Sequence, residues 1–162
     1  MTLPTLRTSR RSSELDLPAD AAWAVVASGR AGRQWYVDAA PFVLRGGLDR
    51  LVGGRGRPWD PPGTPLLAAG DTAGFWRVLA AGHDGDRRRL VLEAAVRAPG
   101  RVVLTTEVEP ADEARSRLHQ EVAFEPHGVL GRAYLLVDLP AREAVAELVH
   151  RRLLADLVTG PR

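Results

Sequence analysis

The chain has 162 residues, a length that fits one domain able to bury roughly 68 to 70 per cent of its unfolded surface. It contains neither cysteine nor lysine, which excludes disulfides, thiolate nucleophiles, cysteine-ligated zinc and lysine Schiff bases. All 22 basic residues are arginine against 20 acids, so the pI of 9.9 reflects arginine's very high pKa acting on a formal excess of only +2, and is no sign of nucleic-acid binding.

No run approaches the roughly 20 apolar residues of a membrane span. Arg7, Arg10, Arg11 and Glu14 interrupt the start and leave no apolar signal core. The expectation is one cytoplasmic domain over residues 1–162, with 1–6 disordered.

Residues 7 to 15 have the makings of a strand, though a polar one, and Leu15, Leu17 and Pro18 lead into a short helix from about Ala19 to Ser28. Proline suits a first helical turn because its missing N–H would be unpaired there. After Gly29, Gly32, Trp35 and Tyr36 a second short helix is expected from about Pro41 to Val52, stopped by Gly53 and Gly54. Residues 53–70, marked by Gly56, Pro58, Trp59, Pro61, Pro62, Gly63, Pro65 and Gly70, read as an irregular loop.

From Asp71 onward short alternating segments separated by turn signals predict an antiparallel meander. Strands are expected near 72–80, 88–97, 101–109 and 115–124, with turns at Gly82 to Asp86, Pro99-Gly100 and Pro110 to Ala114. Pairing them across those turns puts even-numbered residues on one face: Trp76, Val78, Leu90, Leu92, Ala94, Val96, Val102, Leu104, Thr106, Val108, Leu118, Gln120, Val122 and Phe124. Arginines, glutamates and His119 fall on the other. One face needs a cover. Gly128 to about Val158 supplies it as a long helix, expected to be interrupted at Pro140 and to carry an apolar stripe of Ala141, Ala144, Val145, Leu148 and Val149, with Arg142, Glu143, Glu147, Arg151 and Arg152 mostly elsewhere on its surface.

Strand, two short helices, meander and closing helix is the order of an α+β helix-grip (START-like) fold, an antiparallel sheet curled around a long C-terminal helix. The wording is more specific. Trp35-Tyr36, the run Leu44 to Gly54, Gly70-Asp71, Phe75 to Val78, Pro99-Gly100, Phe124 to Arg132 and Tyr134 together resemble an uncharacterised family of the SRPBCC (START-like, polyketide-cyclase-like) superfamily. The resemblance covers nearly everything from Ser12. Such domains occur alone and also behind NmrA-like or short-chain-dehydrogenase-type NAD(P)-binding domains, so it implies an architecture, and a candidate partner, without a reaction. Where relatives tend to have an aromatic and a histidine after the helix proline, this chain has Ala141 and Arg142.

Helix-grip sheets can leave an apolar cavity beneath the helix, suited to a hydrophobic or aromatic ligand oriented by a few polar groups. Candidate ligand-binding residues are Trp76, Thr106, Gln120, Phe124 and Tyr134 on the wall, with Trp35, Tyr36 and Trp59 at the mouth. Thr106 and Gln120 either form a polar spot for the ligand or satisfy one another. The pairs Arg45–Asp49 and Arg77–Glu93 read as surface structure.

The four histidines, at 83, 119, 127 and 150, have no metal spacing, and neither metal nor cofactor is expected. His127, with Asp38 or Asp60, is the candidate acid–base group. A G-x-S-x-G elbow is absent, and Gly53-Gly54-Arg55-Gly56-Arg57 follows a helix and lacks the Lys-Ser/Thr ending of a phosphate loop.

Three functions follow: a non-catalytic binding domain for a small hydrophobic molecule, a cyclase or dehydratase using the same cavity, or an interaction domain for an NAD(P)-binding protein. Neither nucleic acid nor membrane is an expected partner, and the sequence leaves the oligomeric state open.

Overall fold

The computed structural model describes residues 8–38, 61–95, 100–126 and 128–160; for residues 38, 100, 126 and 128–141 it describes the backbone alone. The expected second helix at 41–52, Trp59, Asp60, Val96 and His127 lie outside the described residues.

The elements are β1 (Thr8–Leu15), α1 (Ala19–Val26), β2 (Ser28–Gly29), α2 (Trp35–Asp38), β3 (Thr64–Leu66), β4 (Thr72–Ala73), β5 (Trp76–Asp84), β6 (Arg87–Ala94), β7 (Gly100–Pro110), β8 (Ser116–Pro126) and α3 (Gly128–Thr159). Six strands form one antiparallel sheet in the order β1-β8-β7-β6-β5-β4, while β2 and β3 pair separately. The long helix α3 packs against β8 and β1, closing the fold from its far end. This is the helix-grip arrangement.

The even-numbered face is the inner one. Trp76, Val78, Leu90, Leu92, Leu104, Val108, Leu118, Val122 and Phe124 are all buried. Each such side chain removed from water contributes roughly 1.5–3 kcal/mol before chain entropy is counted, so this wall fixes the register. On the outer face arginines and glutamates pair across strands: Arg87 with Glu109 at 2.5 Å, Arg89 with Glu107 at 3.3 Å, and Arg77 with Glu93 at 2.8 Å. Arg101 also bonds Glu93, and the two guanidiniums hold its carboxyl below the usual carboxylate range, Arg77 contributing most.

One parity change interrupts the meander. Val78 faces Leu92 but Ala80 faces Val91, so Leu79 is the extra residue of a bulge, and Ala81 rather than Ala80 continues the inner face. The β5–β6 hairpin closes through Gly85, at φ +63°, and Asp86, the pattern of a type II′ turn.

Three expectations need correction. Residues 64–66, read as part of a loop spanning 53–70, are strand β3: Ser28 pairs with Leu66 and Gly29 with Thr64. The approach is close enough that only a glycine fits, since a Cβ at Gly29 would lie 2.5 Å from Thr64 Oγ1 and 2.9 Å from its carbonyl oxygen. The exposed, short β3 tolerates Pro65 as edge strands do.

Pro140 does not interrupt α3, which is helical on both sides of it. A proline deletes one backbone bond and kinks a helix, and a helix of 32 residues, about 48 Å long, retains enough sheet contact to continue through it.

The stripe facing the sheet is also turned from the expected one. Leu148 is 46% exposed and Ala144 is exposed, whereas Arg142, Ala146, Val149, His150, Leu153 and Leu157 are buried. These recur at helical spacing, but two of them are polar, because the strand they meet is polar.

Candidate functional site

Strand β1 explains that turn. Its register sets Ser9 opposite Val122, Arg11 opposite Gln120, Ser13 opposite Leu118 and Leu15 opposite Ser116, so its odd-numbered residues share the inner face. An edge strand that presents Ser, Arg and Ser to the interior needs polar partners above it. Helix α3 provides them.

At the centre lies a line of hydrogen bonds. Ser13 Oγ is 2.8 Å from His150 Nε2, His150 Nδ1 is 2.8 Å from Gln120 Oε1, and Gln120 Nε2 donates to Thr106 Oγ1 at 3.2 Å. Because the Gln120 oxygen accepts, the imidazole proton sits on Nδ1, and Nε2 accepts from the Ser13 hydroxyl. His150 is only 5% exposed, and burial lowers its pKa below the ordinary histidine value. Hydroxyl, imidazole and amide stand in the order of an activated nucleophile, its base and an orienting group. Both ring nitrogens are nevertheless engaged inside the core, which makes the line a tie between β1, β7, β8 and α3.

Thr106 and Gln120 pair directly across β7 and β8, so the two polar residues read from the sequence do bond one another. The inward histidine is the addition. Its signal was present in the sequence: Ala146, Val149, Leu153 and Leu157 define a stripe running to the end of α3, and His150 lies on it.

Nearer the start of β1 a second polar group forms. Arg142 is 4% exposed and donates from Nε to Ser9 Oγ at 3.1 Å. Arg11 bonds Glu147 at 2.8 Å and Glu143 at 2.9 Å across the β1–α3 seam. The Glu143 carboxyl lies below its ordinary range, chiefly through the Ser9 hydroxyl and then through Arg11. Glu147 is lowered by Arg11 and then by Arg151. Sequence reasoning placed Arg142 on the surface; the structure puts it inside.

The aromatic candidates fall as follows. Trp35 and Tyr36 are fully buried, the Trp35 indole donating to the Val26 carbonyl at 3.0 Å and the Tyr36 hydroxyl to that of Ser28 at 2.6 Å. Trp76 is buried and donates to the Tyr36 carbonyl at 2.7 Å, joining α2 to the sheet. Phe124 is buried on β8, opposite Val102. Tyr134 lies in α3, in the stretch described by its backbone, and Trp59 is outside the described residues. Of the proposed acid–base set, Asp38 ends α2 with only its backbone described.

Two clefts open elsewhere. One of about 750 Å³ lies on the charged outer face, beside Arg87, Arg89, Glu107 and His119, and one of about 570 Å³ between residues 28–34 and the last turns of α3. Among the described residues no cluster of histidine, aspartate and glutamate could hold a metal ion, and no helix is long and apolar enough to cross a membrane.

No curated protein matches the sequence. Among solved structures the chain is similar to the hypothetical protein jhp0584 from Helicobacter pylori, at 14% identity over 94% of this chain and 90% of that one, with a TM-score of 0.50; this likeness concerns the fold alone. It also matches a Thalictrum flavum norcoclaurine synthase point mutant in complex with a transition state analogue, at 11% identity over 90% and 94% of the two chains and a TM-score of 0.40. The di-domain aromatase/cyclase BexL from the BE-7585A biosynthetic pathway matches at 18% identity over 96% of this chain and 48% of that one, with a TM-score of 0.40. A family described as "Protein of unknown function (DUF2867)" matches residues 7–149. With that match running from the first strand into the closing helix, the chain belongs to the DUF2867 family.

Proposed function

We propose that this chain binds a small hydrophobic or aromatic molecule between the inner face of the sheet and α3. The observation that carries the reading is an apolar inner face, set with a few fixed polar groups, lying beneath a long helix. Ala146, Val149, Leu153 and Leu157 of α3 share one buried cluster with Leu104, Leu118 and Val122 of the sheet. The apolar face continues through Val122, Val102 and Phe124, toward the end of the sheet where β8 passes into α3. An apolar surface bordered by a few fixed polar groups is the usual make-up of a small-molecule site.

The cyclase or dehydratase reading requires a proton-moving group on that wall. His150 faces inward, but both its nitrogens are bonded, to Ser13 and Gln120, so binding without chemistry is the better-supported function.

Native mass spectrometry of freshly purified protein tests the proposal, together with saturation by the neutral fluorophore N-phenyl-1-naphthylamine. A retained small molecule, or saturable one-to-one binding reduced in V102W, where the indole fills the wall, supports it. Absence of both a retained mass and saturable binding overturns it.

A further inference from the structure

Most described arginines are paired with acids, as Arg87 is with Glu109, Arg88 with Asp20 and Arg117 with Glu14. Arg33 departs from that pattern. It is exposed on the loop between β2 and α2, and among the described residues it meets no carboxylate. It borders the cleft of about 570 Å³ between residues 28–34 and the last turns of α3, whose walls also hold Ser28, Gln34, Arg152 and Asp156.

The polar groups on that wall are short of acceptors. Ser28 is 8% exposed, and its hydroxyl oxygen accepts from the Gln34 amide at 3.2 Å and from the Arg30 backbone N–H at 3.4 Å. Both lone pairs are thereby taken, and the hydroxyl proton is left to donate. Arg152 has a buried Nε that makes no hydrogen bond; an Asp156 oxygen one turn on stands 3.3 Å away without the alignment for one. Asp156 is the acid among the described lining residues, so the guanidiniums of Arg33 and Arg152 outweigh it by one positive charge.

We infer that this cleft is a second binding site, for a small ligand bearing an oxyanion, a carboxylate or a phosphate, received by Arg33 and Arg152 with the Ser28 hydroxyl donating to it. A guanidinium fork matches two oxygens of such a group, and charge-assisted bonds of this kind are stronger than neutral ones. The volume lies within the roughly 300–1,000 Å³ usual for small-molecule sites. The cleft shares no residue with the apolar face at Trp76, Thr106, Gln120 and Phe124, so the two sites stand or fall separately.

The test titrates the nitrogen-15-labelled full chain with inorganic phosphate and, separately, with malonate, at ionic strength held constant with sodium chloride, and reads the amide shifts by NMR. Saturable shifts gathered at residues 28–34 and 155–160 are expected, with a dissociation constant of about 0.1–10 mM for the preferred probe. Phosphate saturating first marks a phosphorylated ligand, and malonate first a carboxylic one. R33Q should weaken that probe about tenfold. R30Q, which removes the same charge from the same loop but not from the cleft wall, should change it by less than about twofold. The spectra also report folding, and where R33Q does not fold, S28A decides, with an expected weakening of about threefold or more. Shifts that fail to saturate, that scatter over the surface arginines or that survive R33Q overturn the inference, as does equal weakening by R30Q. Each of those results leaves the hydrophobic-binding function standing, since that function is read with a neutral probe.

Discussion

His150 shows how one side chain's environment becomes a measurable property. Its folded pKa lies below the ordinary value of about 6.5 because burial disfavours the imidazolium. Above that pH the residue is neutral whether the chain is folded or not, and its ties to Ser13 and Gln120 contribute in full. As pH falls below about 6.5 the unfolded chain takes up a proton that the folded one refuses, so stability declines by up to about 1.4 kcal/mol per pH unit until the lowered folded value is passed. Glu143, Glu147 and Glu93, all lowered, lose their contributions only at more acid pH, below the ordinary carboxylate range. Urea unfolding at pH 7.5 and 5.5 should therefore show a loss in the wild type that is clearly smaller in H150Q. An equal loss in both proteins would mean that the histidine is not held neutral in the core.

Among the elements, those specified by an apolar pattern were legible in the sequence. The strands β6 to β8 read correctly because alternation is a two-residue signal, and a slip of one residue would have put Leu92, Leu104 and Leu118 in water, whereas the single strand expected at 72–80 is two, β4 and β5, folded back on each other at Gly74 and Phe75. The bulge at Leu79 left no compositional trace, since Val78 before it and Ala80 and Ala81 after it are all small or apolar. The rotation of α3 was hidden for a different reason. A stripe chosen for its apolar members points at an apolar partner, and β1 offers serines and an arginine instead, so Arg142 and His150 turn inward to meet them. Strand β3 was hidden by Pro65 and by Pro61, Pro62 and Gly63 just before it, residues that mark loops more often than strands. Its existence depends on Gly29, so G29A is expected to lower stability by roughly 1–3 kcal/mol, as overpacking does, read from the urea midpoint. A neutral result would show that β2 and β3 do not approach this closely.

At the scale of the molecule, the fold is closed by its first strand and last helix, which meet across Arg11–Glu147 and Ser13–His150. A chain ending at Ala141 would lose Arg142, Ala146, Val149, His150, Leu153 and Leu157 together. Such a chain should unfold without a cooperative transition in urea, and a sharp transition would show that the sheet stands without its cover. The long reach of this closure also has a consequence during synthesis. Leu15 waits for Ser116, and at about 5–20 residues per second the nascent strand stays unpaired on the order of 5 to 20 seconds after leaving the ribosome. A greasy segment idling that long would invite other polypeptides to stick to it. The run Thr-Ser-Arg-Arg-Ser-Ser-Glu-Leu instead remains well hydrated until its neighbours arrive, so the same residues that make β1 a poor strand by pattern let it survive the delay.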